Sequence, residues 1–299
     1  MTLVVTEAVV LHAFDYLESS RILRLMTRDA GIQSVLARGA RSSRKRFGTS
    51  LDVFAHGIAE YSTRPGRDLN TLTAFDATRS RPELVADISR FTGACVLAEM
   101  ALRFSIDEPH PGLFDAFVAG LDMIGTAEPD ETVSRTLGAA WHMVGELGFA
   151  PALDVCANCH TPLADDARTP FSHIAGGALC DRCARLVPGA RPIPSEARTA
   201  LAEWLSGSTV QLSSPAEGRA HQRLLREFLD QHLSEGKSLR AYAMWEQELL
   251  VTSHYSLVTV TYDPRHLRPH RSRQDRAGPR THGRGHGPAP RGKAARNHN

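Results

Sequence analysis

Four cysteines set the tightest limit on this chain. They fall as Cys156-x2-Cys159 and Cys180-x2-Cys183, with twenty residues between the two pairs. A pair two residues apart sits on one tight turn, so both thiolates face one centre. Two such turns complete a tetrahedral all-sulfur site, the geometry that zinc accepts. Four thiolates leave no position open for water, so the expected Zn2+ is structural rather than catalytic. A metal-free remnant of such a module and an iron–sulfur or redox role are the competing readings of the spacing. His160 and His173 lie in the same stretch and could replace a sulfur, but four thiols suffice. Both are read as polar loop residues. A zinc deaminase needs a His-x-Glu upstream and a proline before the second pair. Leu179 precedes Cys180 and no His-x-Glu occurs upstream, so that chemistry is set aside.

The rest of the composition is consistent with a soluble, reducing environment. The chain has 299 residues, enough for about two domains with attachments. No run approaches the roughly 18 apolar residues that a membrane span needs. Residues 1–12 lack the positive leading region of a signal peptide. A cytoplasmic location is therefore expected, with no membrane partner, and in that compartment cysteines serve metals or stay as buried thiols. Cys95 lies on an apolar helical stripe and is read as such a thiol. The net charge is only +2, but it is unevenly spread. Residues 263–299 hold ten Lys and Arg against two Asp. Large apolar residues are almost absent there, so that segment cannot bury enough surface to offset its ordering entropy and is expected to be a disordered basic tail.

Hydrophobic period divides what remains. Leu3 to Leu11, Ile22 to Thr27, Ile32 to Ala37, Val53 to Tyr61 and Leu69 to Phe75 read as five short strands. Arg28-Asp29-Ala30-Gly31 and Arg64-Pro65-Gly66-Arg67 supply turn chemistry between them. Five strands in under 80 residues fit a small closed barrel, with a five-stranded half-sandwich as the alternative. At Pro82 the period changes to three and four. Leu84, Ile88, Phe91, Cys95, Ala98 and Leu102 form one helical stripe. Leu113, Phe117, Leu121 and Ile124 form a second. Val133, Leu137, Trp141, Val144 and Leu147 form a third, ending near Gly148. The cysteine segment, 151–187, follows. Two more helices are expected after it. The second opens on the capping box Ser214-Pro215-Ala216-Glu217 and has Leu224, Leu225, Phe228, Leu229 and His232 on its apolar face.

One charged segment stands apart. Arg38-Gly-Ala-Arg41-Ser-Ser-Arg44-Lys45-Arg46 carries five cations in nine residues and no acid, directly after the third strand. Its serines can donate to phosphate oxygens, and it adjoins a barrel face of the kind that binds single strands. Arg38, Arg41, Arg44, Lys45 and Arg46 are thus the candidate DNA contacts, against a plain solvated loop. Phe47, Phe54, Tyr61 and Phe75 could stack on bases but are more often core residues. Binding is therefore expected to be backbone-driven and poor in sequence specificity.

These pieces, in this order, resemble the RecO family of bacterial DNA repair and recombination mediators. The resemblance is carried by Ala8-Val9-Val10-Leu11, Leu17-Glu18-Ser19-Ser20-Arg21-Ile22-Leu23 and Ala37-Arg38-Gly39-Ala40-Arg41. It continues with Gly145-Glu-Leu-Gly148-Phe149-Ala-Pro151 before the first cysteine pair, Phe171-Ser172 and Gly176-Gly177 before the second, and Lys237-Ser238-Leu239-Arg240. It spans roughly residues 1–245. It departs at Leu51-Asp52-Val53-Phe54, where family members have a proline. The resemblance implies an α+β chain: an N-terminal OB-fold β-barrel (1–79), then an all-α domain (80–262) with an inserted four-cysteine zinc module. It implies a non-enzymatic protein that binds single- and double-stranded DNA and anneals complementary strands. Its implied partners are RecR, single-strand-binding protein and, indirectly, RecA, and its implied place is the nucleoid-associated cytoplasm.

Two other classes compete. A zinc-ribbon factor of transcription or translation would need a basic surface around the cysteines. Arg168, Arg182 and Arg185 are there, but Asp154, Asp165, Asp166 and Asp181 offset them. An enzyme would need a phosphate loop, a nucleophile elbow or paired carboxylates, and none is found. His142 and Glu146, four apart on a helix, are read as part of its polar face.

Overall fold

The computed structural model of the chain describes residues 2–40, 47, 51–105, 108–164, 168–233 and 239–248. Five strands come first: β1 (Thr2–Tyr16), β2 (Ser20–Thr27), β3 (Gly31–Ala37), β4 (His56–Thr63) and β5 (Leu69–Arg79). They close into a barrel in the order β1-β2-β3-β5-β4, with β1 paired to both β2 and β4. The parallel contact of Ser34–Leu36 with Leu69–Thr71 completes the ring and removes the half-sandwich alternative. This is the OB-fold-like arrangement, a five-stranded Greek-key barrel.

The strands read as continuous apolar runs because part of the barrel is buried on both faces. Ala8, Val10, Leu23, Leu25, Val35, Ala37, Ala59, Tyr61, Leu72 and Phe75 fill its interior. The alternate residues Val9, Met26 and Ile32 form a cross-strand row, Val9 opposite Met26 and Met26 opposite Ile32. That row belongs to the core of the helical part. Strand alternation thus feeds two cores at once.

Helices follow: α1 (Pro82–Ala86), α2 (Ile88–Phe104), α3 (Pro111–Gly125) and α4 (Thr132–Glu146). The cysteine segment then contributes β6 (Arg168–Ser172), β7 (Gly177–Ala178), the short α5 (Asp181–Ala184) and β8 (Arg191–Pro194). Last come α6 (Ser195–Leu205), α7 (Pro215–His232) and α8 (Arg240–Glu248). Gly120 lets α3 and α4 approach closely, since a Cβ there would lie 2.8 Å from that of Ala139. At α7 the Ser214 hydroxyl accepts from the Glu217 amide, and the Glu217 carboxylate accepts from the Ser213 amide. Phe114, Phe117, Trp141, Trp204, Phe228, Tyr242 and Trp245 are the large residues of this core. No helix among the described residues is long and apolar enough to cross a membrane.

Five expectations change. The fourth strand starts at His56, not Val53, because Phe54 takes a left-handed backbone with φ 69°. Its amide donates to the Val10 carbonyl at 2.8 Å, and its ring leaves the barrel to pack on Phe91, centroids 6.2 Å apart. The stripe from Leu84 to Leu102 belongs to two helices. Asp87 is extended between them and caps α2 by accepting from the Arg90 amide at 2.9 Å. Cys95 as a residue keeps some exposure, although its thiol packs against the helical core, and His232 likewise is only partly covered. Among the described residues three helices, not two, follow the cysteine segment. The extra one, α8, is short and has no apolar stripe of several turns, but Tyr242 and Trp245 are 1% and 2% exposed. Its N-terminus is capped from across the fold: the Glu99 carboxylate accepts from the amides of Arg240 and Ala241, each at 2.8 Å.

The barrel is tied to the helices through α3. Asp115 receives Arg28 at 2.6 Å, and Asp122, two turns along the same face, receives Arg79 at 2.6 Å and Arg81 at 2.7 Å. Arg28 also meets Glu7 at 2.6 Å and lies over the Phe114 ring. Its guanidinium holds the Glu7 carboxyl below the usual carboxylate range. The Arg81 side chain is fully buried, and its Nη1 also donates to the Phe54 carbonyl at 3.0 Å. Removing a partner from a buried cation costs more than removing one from an exposed pair. Asp122→Ala is expected to destabilise the fold by about 3 kcal/mol, and Asp115→Ala, whose side chain is mostly exposed, by less than about 1 kcal/mol. Denaturant titration of the two variants beside the parent protein measures both.

Candidate metal centre and nucleic-acid interface

The first cysteine pair is shaped by a loop that closes on itself. The Cys156 amide donates to the Thr161 carbonyl, and the Cys156 carbonyl accepts from the His160 amide, each at 2.8 Å. His160 turns the chain with a left-handed φ of 58°. The second pair straddles a helix start: Cys180 precedes α5, and its carbonyl accepts from Ala184 at 2.9 Å. A bond from the Ala157 amide to the Ala178 carbonyl, 2.8 Å, ties the two turns together.

The turns bring the four sulfurs within 4.8 Å of one another. Cys159 Sγ and Cys180 Sγ are 3.7 Å apart. Tetrahedral Zn–S bonds of about 2.3 Å require sulfurs about 3.8 Å apart, so the donor set fits a zinc ion in type, number and spacing. Two polar side chains bear on the sulfurs. Asn158 Nδ2 donates to Cys183 Sγ at 3.4 Å, and Thr161 Oγ1 lies 3.1 Å from Cys159 Sγ. The Thr161 hydroxyl leads in holding the Cys159 thiol down to about 6, which favours the ligating thiolate. The spacing rule does not reach Asn158 and Thr161. Their signal is a donor side chain within two residues of a cysteine. His160 is exposed and His173 lies outside the cluster.

His173 instead anchors the module. Its Nε2 meets Glu227 of α7 at 3.0 Å, and its ring stands edge-on to Phe228. Its carbonyl accepts from His232 Nε2 at 2.6 Å. Burial holds the His173 imidazole below its usual range, against the pull of Glu227. Phe171 of β6 enters the helical core, and Phe149, just past α4, packs on His232. Arg198 of α6 donates to the Ala164 carbonyl at 3.0 Å and to Thr169 Oγ1 at 3.3 Å. The cysteine module therefore joins the end of α4 to α6 and α7.

On the barrel, Arg38 is exposed at the end of β3. Arg41, Arg44, Lys45 and Arg46 lie outside the described residues, as does the tail from 263. Arg24 of β2 donates to Ser34 Oγ of β3 at 2.8 Å, and Arg21 of β2 pairs with Asp15 and Asp52. Phe47, Phe54, Tyr61 and Phe75 are all buried, so none of them offers a face to a base. Burial pushes the Cys95 thiol up to about 12, which disfavours the reactive thiolate. His142 Nδ1 meets the Leu205 carbonyl at 3.1 Å, a contact between helices.

Comparison with known proteins accounts for both halves of this architecture. The family model "Recombination protein O N terminal" matches residues 1–81, the barrel, and "Recombination protein O C terminal" matches residues 85–240. A protein of an Anaeromyxobacter species, named DNA repair protein RecO, is 36% identical over 241 residues, covering 78% of this chain and 93% of that one. One of the same name from a Nocardioides species is 30% identical over 247 residues, covering 79% and 97%. With both family models matched in order and most of each relative spanned, the chain belongs to the recombination protein O (RecO) family.

Proposed function

We propose that this protein is a non-enzymatic DNA repair and recombination mediator of the cytoplasm and nucleoid. In this reading it binds single- and double-stranded DNA, anneals complementary strands, and with RecR helps load RecA on strands coated by single-strand-binding protein. The observation that carries it is the OB-fold-like barrel whose third strand runs directly into the Arg38–Arg46 basic segment. Barrels of this class bind single strands on the β2–β3 side, where Arg24, Ser34 and Arg38 lie. The burial of the barrel aromatics supports contact through phosphates rather than bases, which suits a protein that must act on any sequence. Cations on that side would neutralise two backbones that otherwise repel.

Cys156, Cys159, Cys180 and Cys183 are proposed to hold one structural Zn2+. Bound there, the ion supplies cross-linking rather than chemistry, because four thiolates fill its tetrahedron. The residues around it do the mechanical work. Asn158 and Thr161 orient sulfurs, His173 and Arg198 connect the module to α7 and α6, and Phe171 enters the helical core. The domain limits that follow are 1–79 for DNA binding, 80–262 for the helical part with its module at 151–187, and 263–299 for the basic tail.

Annealing of complementary oligonucleotides coated with single-strand-binding protein is the direct test. The protein should accelerate it without nucleotide hydrolysis, and absence of acceleration with RecR present would refute the mediator reading. Five phosphate contacts give a log-affinity slope against log salt of roughly −3.5 for single strands. Arg41→Ala with Arg44→Ala should make the slope shallower by about 1.4, with similar loss on unrelated sequences. Metal analysis should find one zinc per chain. Cys156→Ser should lower stability by on the order of 3–5 kcal/mol, and the DNA affinity of the fraction still folded should be unchanged.

A further inference from the structure

The four sulfurs are not equivalent. Cys156 and Cys183 are buried, at 0% and 2% exposure, in one cluster with Leu179. The polar contacts do not distinguish the four sulfurs, since Asn158 Nδ2 meets Cys183 Sγ and Thr161 Oγ1 meets Cys159 Sγ; burial does. Cys159 and Cys180 are half-buried and form the outward edge of the cluster, their sulfurs 3.7 Å apart. Each comes from a different turn, so the sulfurs that share the solvent edge are not the sulfurs that share a Cys-x2-Cys pair. Reagent access, which governs thiolate oxidation, is therefore set across the pairs rather than within them.

We propose that the Cys159–Cys180 edge is an oxidation site, at which a two-electron oxidant of the peroxide class closes a disulfide and expels the metal. This rests on the reading of the four cysteines as zinc ligands. The Cys159 thiolate attacks one peroxide oxygen; the O–O bond breaks, hydroxide leaves, and Cys159 becomes a sulfenic acid. The Cys180 thiolate then attacks that sulfur. The S–S bond forms, the S–O bond breaks, and a second hydroxide leaves. Two protons from solvent convert the hydroxides to water. The peroxide gains two electrons and the sulfur pair loses two. Cys156 and Cys183 alone cannot complete a four-coordinate site, so Zn2+ departs.

The test uses the full-length protein, with zinc content measured before any oxidant is added. Limiting hydrogen peroxide is applied while a chromophoric chelator reports free zinc. Remaining thiols are blocked with iodoacetamide and the protein is digested with trypsin. Cleavage after Arg182 separates Cys180 from Cys183, and fragment ions separate Cys156 from Cys159. The expected result is a Cys159–Cys180 bridge, with Cys156 and Cys183 alkylated and one zinc released per bridge. Bridges within the pairs, Cys156–Cys159 or Cys180–Cys183, would overturn the proposal, as would zinc release with no bridge. Zinc-free starting protein would overturn the metal reading instead, and the proposal with it.

Discussion

A guanidinium that water cannot reach must be paired, and Arg81 is paired on both sides of the molecule's main seam. It stands between the last barrel strand and the first helix, with the Asp122 carboxylate of α3 on one side and the Phe54 carbonyl on the other. The Phe54 carbonyl is available because that residue takes a left-handed turn, which also sends its ring into the helical core. The Val9–Met26–Ile32 row enters the same core from the barrel wall. Barrel and helices thus share apolar contacts, an ion pair and a backbone acceptor at one place. This seam keeps the barrel in a fixed relation to the helices that the cysteine module joins.

The features legible in the sequence are those that depend on local chemistry. Two Cys-x2-Cys turns, the Ser214–Glu217 capping box and the three- and four-residue stripes of α3 and α4 each follow from a few neighbouring residues. What is not legible depends on distant partners. Asp87 looks like one more polar residue of a helix until its carboxylate is seen to cap α2. Phe54 reads as strand because its left-handed turn is fixed by Val10 and Phe91, far from it in sequence. The helix α8 carries only Tyr242 and Trp245 as large buried anchors, too few for a stripe. The candidate site divides in the same way. Its sulfurs are readable from spacing, whereas the Asn158 and Thr161 bonds to them, and the anchoring of His173 on Glu227, require three-dimensional placement.

The two charged systems have different physical tasks. Acids on α3 draw Arg28 and Arg79 of the barrel, and Arg81 just past it, into fixed pairs, so those cations serve architecture. Arg38 and the cations that follow it in sequence begin where the third strand ends, and no acid is interleaved among them. Within one small domain, arginine is thus a structural tie where carboxylates are supplied and a concentrated positive charge where they are withheld.

The cap on α8 has a consequence for how the chain is made. Glu99 lies 141 residues before the first amide that it binds. At ribosomal rates of about 5–20 residues per second, roughly 7–28 s separate synthesis of the carboxylate from synthesis of its partner. Over that interval α2 lacks the cover that α8 gives it in the finished fold. The helical part therefore completes its core only once Tyr242 and Trp245 of α8 have been made.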